Sequence, residues 1–256
     1  MLKKSFFILS FVLVTSMMKA QDTKNPVALE NGTTLNVLYR HDVSGKVYVT
    51  PRGFGLLFRN GRHVTDKTRS YYEIDIQTLK HPKEVKSQGI SEDKKRFVYG
   101  KINSVFLLRG GLGLQKVIFH KGDIKAVEVR YSYSIGPTLA FAKPYYVQVY
   151  KNNVPGLRNQ TTLVKFDTES FSGDSSLVVG RAPYSSGTKE MAFYPGVNAK
   201  FNLSFEYAPY TNLIRAIETG ISLDYFPKAL PIMARNPAEN FILTLHLGFV
   251  FGTKWY

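Results

Sequence analysis

Ten residues hold most of the chemistry this sequence offers: Glu73, Asp75, Arg109, Glu128, Arg130, Lys200, Glu206, Glu218, Asp224 and His246. They sit in stretches where polar and apolar residues alternate, as in Tyr72-Glu73-Ile74-Asp75-Ile76-Gln77. Successive side chains of a strand point to opposite faces, so each such stretch predicts a strand with one greasy and one charged face. Charges of both signs withdrawn from water must pair, and a buried network of ion pairs and hydrogen bonds is the first expectation. The second is a gated polar pathway or proton-linked site, and it rests on carboxylates outnumbering bases in this set.

Other chemistry finds little support. Cysteine is absent, which removes thiolate catalysis, cysteine metal sites and disulfides. A metal needs several convergent ligands, and the five histidines show no tight pairing. His246 stands alone on its polar row, while His41, His63, His81 and His120 fall at loops or strand ends. Ser185 and Ser186 with His81 can be drawn as a hydrolase site on paper, but nothing around them singles them out. Gly110-Gly111-Leu112-Gly113 lies inside a strand pattern and precedes no helix, so it is not a phosphate loop. The expectation is therefore no catalytic residue, no metal and no cofactor.

The elements that must position these residues are strands. In the closing stretch Phe241 to Tyr256, Phe241, Leu243, Leu245, Leu247, Phe249 and Phe251 form one apolar row. Ile242, Thr244, His246, Gly248, Val250 and Gly252 form the other, and Thr253-Lys254 interrupts the apolar row before Trp255. Similar patterns predict strands over Thr34–His41, Lys46–Arg59, Arg69–Leu79, Lys101–Phe119, Ile124–Tyr146, Pro195–Tyr207 and Leu213–Phe226. Asp42–Gly45 reads as a turn, and Asn60-Gly61 as the start of a connection. Pro51 predicts an irregular or bent start to the second strand. Long connections (81–96, 151–189 and 227–238) take turns with short ones (119–123 and 208–212). The first is so charged that it reads as a solvated loop. The second reads as a long loop with a short hairpin at its middle. No long stretch shows helical spacing of apolar residues.

A soluble sandwich also alternates, so the length of the rows decides. Six or seven positions without a charge match the 9–11 residues that a tilted strand needs to cross a bilayer. Aromatic residues such as Phe119, Tyr207, Tyr225 and Trp255 gather at strand ends, where amphipathic rings meet the membrane–water boundary. The prediction is an all-β fold: an up-and-down antiparallel transmembrane barrel of about eight strands with both termini periplasmic. The chain resembles the small outer-membrane β-barrels of Gram-negative-type bacteria, similar in plan to the OmpA-like and OmpX-like barrels. The likeness is carried by the alternating strands and by the terminal stretch FILTLHLGFVFGTKWY. In that class a final strand ending in an aromatic residue is read by the barrel-insertion machinery.

Residues 1–20, with Lys3 and Lys4 before an apolar run and Ala20 before Gln21, read as a cleaved signal peptide rather than an anchor helix. Residues 21–32 read as a flexible leader and 33–256 as the barrel domain, with long extracellular loops near 81–98 and 151–191. The net charge of +15 would fall to +12 without Lys3, Lys4 and Lys19 (15 − 3 = 12). In an exported chain that excess points to outer-membrane lipid, including anionic glycolipid, or to an acidic partner, and not to nucleic acid. Lys83, Lys86, Lys94, Lys95 and Arg96 are the loop candidates for such contacts. The expected role is structural or accessory: a barrel in the bacterial outer membrane that docks on a larger assembly through its loops. The alternatives are a narrow transport channel and a membrane-embedded lipid-modifying enzyme.

Overall fold

In a computed structural model the described residues are 40–255, apart from 66, 90–94, 120–126, 151–160, 166–177, 208–211 and 235. The expected signal peptide, the leader and all but the last two residues of the expected strand Thr34–His41 lie outside them. Eight strands form the wall: β1 (His41–Thr50), β2 (Gly53–His63), β3 (Thr68–Leu79), β6 (Asn103–Phe119), β7 (Glu128–Pro144), β11 (Ala192–Glu206), β12 (Leu213–Leu230) and β13 (Glu239–Trp255). Every neighbouring pair is antiparallel, and β1 pairs with β13 to close the barrel. All seven connections therefore fall alternately at two ends. The terminal end holds the start of β1, the end of β13 and the connections 64–67, 120–127 and 207–212. The loop end holds residues 80–102, 145–191 and 231–238, together with the β1–β2 corner.

The wall is staggered. Stepping from Val43 through its partners Asn60, Tyr72, Leu112, Ile135, Ala199, Leu223 and Leu243 leads once round the barrel. Leu247 pairs with Val49, so Leu243 is level with position 53, ten residues beyond the start (49 + 4 = 53; 53 − 43 = 10). Closure with such a stagger tilts strands by roughly 35–45°. In β13 the row Phe241 to Phe251 is exposed and the row Ile242 to Val250 faces the interior. That apolar row is about 11 residues long, or roughly 25 Å of height at such a tilt, which is the hydrocarbon belt of a membrane barrel. Phe141–Phe193 and Tyr225–Phe241 ring pairs edge the belt at the loop end, and His41 stacks on Trp255 at the terminal end.

The first hairpin departs from the sequence reading. Asp42–Gly45, expected as a turn, lies inside β1, and Asn60-Gly61 lies inside β2. Lys46–Arg59, expected as one strand, is folded in two at Pro51-Arg52. Proline has no amide hydrogen and its fixed φ suits the first corner of a tight turn. Gly53 follows with φ 151°, where an added Cβ would meet the Thr78 carbonyl oxygen at 2.2 Å, so the corner requires glycine. The outward row changes parity at the corner, from Val47 and Val49 to Phe54, Leu56 and Phe58, and reading the stretch as one strand passed over that change.

The long connections also carry structure. Lys86–Ser87 (β4) pairs with Phe97–Val98 (β5), and β8 (Tyr146–Tyr150) pairs with both β9 (Thr161–Lys165) and β10 (Val178–Arg181). Phe97, only 1% exposed, packs with Tyr145, Val147 and Val178 in a core of its own. Of the solvated loop expected at 81–96, Lys86–Ser87 joins a folded cap while Lys83, Lys86, Lys95 and Arg96 are exposed, and residues 90–94 lie outside the described ones. The hairpin expected at the middle of 151–189 begins earlier, at Tyr146. These contacts join segments far apart in sequence, so no local pattern announces them.

The belt yields a test. Leu245→Arg, near mid-height, is expected to cost about 2–4 kcal/mol, against about 0–1 kcal/mol for Phe251→Arg near the boundary. Denaturant unfolding in lipid vesicles reads the difference, and greater damage from Thr244→Arg would contradict this register.

Candidate functional site

Inside the wall the charged residues line up with alternating sign. Lys46 reaches Glu218 at 2.7 Å, and Glu218 also meets Arg59 at 3.0 Å. Arg59 joins Glu73 at 3.0 Å, and Glu73 joins Lys200 at 3.2 Å. Lys200 bridges to Asp75 at 2.7 Å, which Arg109 meets at 3.1 Å before ending on Asp224 at 2.6 Å. The result is a ladder of four bases and four acids in strict alternation, drawn from β1, β2, β3, β6, β11 and β12. Tyr48 donates to Asp75 at 2.6 Å and Ser134 donates to Glu73 at 2.8 Å. All eight charged members are buried. With several partners each, these ions recover the hydration that burial removes.

A second group lies toward the terminal end. Asp42 pairs with Arg69 at 2.6 Å. Glu128 meets Arg130, Arg130 meets Glu206 at 2.8 Å, and Glu206 meets Lys254 at 2.9 Å. All ten residues singled out in the sequence therefore stand on the inner face, nine of them in ion pairs. Five further charged members were not among them: Asp42, Lys46, Arg59, Arg69 and Lys254. Adding these gives seven acids and seven bases, so the excess of carboxylates on which the transport alternative rested is gone. Asp42, Lys46 and Arg59 were lost with the misread first hairpin. Arg69 shares the parity of Glu73 and Asp75 and was legible. Lys254 belongs to the inner row with His246, so it does not break the outer apolar row.

His246 donates its Nε2–H to the Asn202 side-chain oxygen at 2.7 Å, and its ring lies 5.6 Å from that of Tyr48. Glycines make room for the interior aromatics: a Cβ on Gly113 would meet the Tyr71 ring at 2.5 Å, and one on Gly55 would meet Tyr48 at 2.3 Å. Above the ladder, toward the loop end, the interior turns apolar. Leu79, Val105, Leu107, Ala140, Ala142, Tyr194, Phe226 and Ile242 from the wall pack against Leu230, Ile232 and Met233 where β12 leads into its connection. The backbone of that connection is bolted across the mouth, with the Ile102 amide donating to the Ile232 carbonyl at 3.0 Å and the Ala234 amide to Gly100 at 2.7 Å. The described lumen is a packed, self-neutralised core under a hydrophobic plug.

A closed ladder, a greasy outside and a charged inside decide the class. The chain is an eight-stranded, outer-membrane-type β-barrel. No protein family and no curated protein matches it. Among solved structures it is similar to Neisserial surface protein A, at 10% identity and a TM-score of 0.39, over 84% of this chain and 95% of that one. It is also similar to the N-terminal β-barrel domain of Pseudomonas aeruginosa OprF, at 10% identity and a TM-score of 0.36, over 84% and 97%. A third is Ail of Yersinia pestis, solved with the heparin analogue sucrose octasulfate, at 7% identity and a TM-score of 0.40, over 85% and 100%.

The loop end has a different electrostatic character. Lys80, Lys83, Lys86, Lys95, Arg96, Lys165, Lys189 and Lys228 are exposed there, against one exposed acid, Glu190, among the described residues. Lys83 donates to the Asn236 side chain at 2.9 Å and Arg96 to Gln88 at 3.3 Å. Lys94 lies outside the described residues. Lys101 is buried against Glu84 at 2.7 Å; burial pushes its ammonium below the ordinary lysine value, and the Glu84 hydrogen bond pulls it back up. His81 faces Glu239 at 3.4 Å and accepts the Lys83 amide, while Ser185 and Ser186 lie in a separate turn ending at the short 3-10 segment Thr188–Glu190. Among the described residues no three His, Asp or Glu converge as metal ligands would.

The ladder makes a prediction about coupling. Glu218→Leu strands Lys46 and half of Arg59 and is expected to cost about 3–5 kcal/mol. Adding Lys46→Met should recover much of that loss, because Arg59 keeps Glu73. A double-mutant cycle on unfolding in detergent micelles checks it; additive losses would show that the pair is not coupled.

Proposed function

We propose that this chain is an integral outer-membrane barrel with a structural or accessory role, its loop end outside the cell and its folded cap serving as the contact element. The observation that supports this reading is the contrast between the two polar regions. Inside, the seven acids and seven bases named above neutralise one another and side chains plug the mouth; at the cap, exposed bases outnumber exposed acids among the described residues. Fixed positive charge on a rigid platform suits an acidic or phosphorylated partner surface. The partner class is a larger outer-membrane assembly that presents acidic groups beside anionic glycolipid. Long connections that fold into sheets are more than tethers between strands, and contact surfaces are commonly built from them.

The test has two arms. Gentle detergent extraction from native membranes should bring the barrel out with protein partners, and Lys83→Glu with Lys95→Glu and Arg96→Glu should release them at low salt. Recovery as a bare monomer, or indifference to the charge reversal, would count against docking. In planar bilayers the purified barrel should pass no steady current; discrete conductance at low protein load would return the channel reading.

A further inference from the structure

The outer wall of β2, β3, β6 and β7 is not smooth. A groove of about 560 Å³ runs over β6, with Leu112 and Leu114 along it and Tyr72 and Tyr133 on its two sides. Ile135 lines one end, and Asn60, Arg62 and Ser70 line the other. Registers place it in the membrane. Arg62, Ser70 and Leu114 lie in one row across the ladder, and Lys116 is the next outward residue of β6 toward the terminal end. The stagger of ten residues over eight strands amounts to a little over one residue per strand. With that allowance, Arg62, Ser70 and Lys116 stand level with Val43, Tyr131 and Arg215 at the terminal boundary of the belt. Ile135 stands near mid-height, level with Leu247.

The groove thus spans about six residues of rise, or ~14 Å along the membrane normal at such a tilt. A bilayer leaflet has a hydrocarbon depth of about 15 Å. Its boundary end carries two exposed bases, Arg62 and Lys116, and no carboxylate lies on the outward face of these four strands. The match is to an amphiphile with an anionic head and a chain one leaflet long. We propose that the groove binds one phospholipid of the leaflet at the terminal end. The phosphate sits against Arg62 and Lys116, and one acyl chain lies along Leu114 and Leu112 toward Ile135. Arg62 presents a planar fork of donors that suits phosphate oxygens. The two tyrosine rings hold the chain from the sides with little loss of side-chain entropy.

Native mass spectrometry of the full chain, extracted from membranes in mild detergent, tests this, with phospholipid counted per barrel after solvent extraction. The wild-type barrel should retain one phospholipid through repeated detergent washes. Leu112→Trp, which fills the groove, and Arg62→Glu, which reverses the charge, should each lower retention by about tenfold. Ile221→Trp on the opposite wall should leave it unchanged. The shift in gel mobility on boiling shows that each variant is folded. Retention that is absent in the wild type, or equal in all variants, overturns the site. Loss of a dimer rather than of lipid in Leu112→Trp would also overturn it, by assigning the groove to a second copy.

Discussion

Everything in this barrel depends on the pairing of β1 with β13. Hydrocarbon offers no hydrogen bonds, so a sheet edge left open inside a membrane would leave a column of backbone amides and carbonyls unsatisfied. Nine residue pairs, from His41 with Trp255 to Val49 with Leu247, join the first and last strands. With that seam closed, the strict two-residue period of every strand assigns each side chain to lipid or to lumen. A shift of one residue in a strand's register would exchange the two environments along that strand.

Closure also creates the interior problem. Eight strands enclose a space that side chains can just fill, and half of those side chains are polar. The ladder from Lys46 to Asp224 resolves this by sharing: most members touch two partners of opposite sign. The cost of dehydrating each charge is then spread over several short contacts. Such a core has no spare charge to offer a passing ion. The apolar layer of Leu79, Leu107, Phe226 and Ile242 packs above the ladder, toward the loop end.

The same division sets where interaction is left to happen. The charges of the lumen pair with one another and most of the outer wall is an apolar belt. What stays exposed among the described residues is the basic surface of the cap and the notch over β6. The first is a charged platform in water, the second a charged end on an apolar slot.

The sequence by itself separated the inner from the outer row in five of the eight strands, β3, β7, β11, β12 and β13, because alternation survives in one dimension. It determined the ten interior candidates, the eight-strand count and the division of connections into long and short. It did not determine where the first hairpin turns, although the apolar row changes parity there, from Val47 and Val49 to Phe54, Leu56 and Phe58: reading Lys46–Arg59 as one strand passed over that change. That error hid Asp42, Lys46 and Arg59, and with them the balance of charge. The cap was illegible for another reason, since Phe97, Tyr145 and Val178 form a core only when three distant segments meet. Periodicity is a local property and reports which way a side chain points; which charge meets which across the lumen follows from stagger and closure, which only the folded wall supplies.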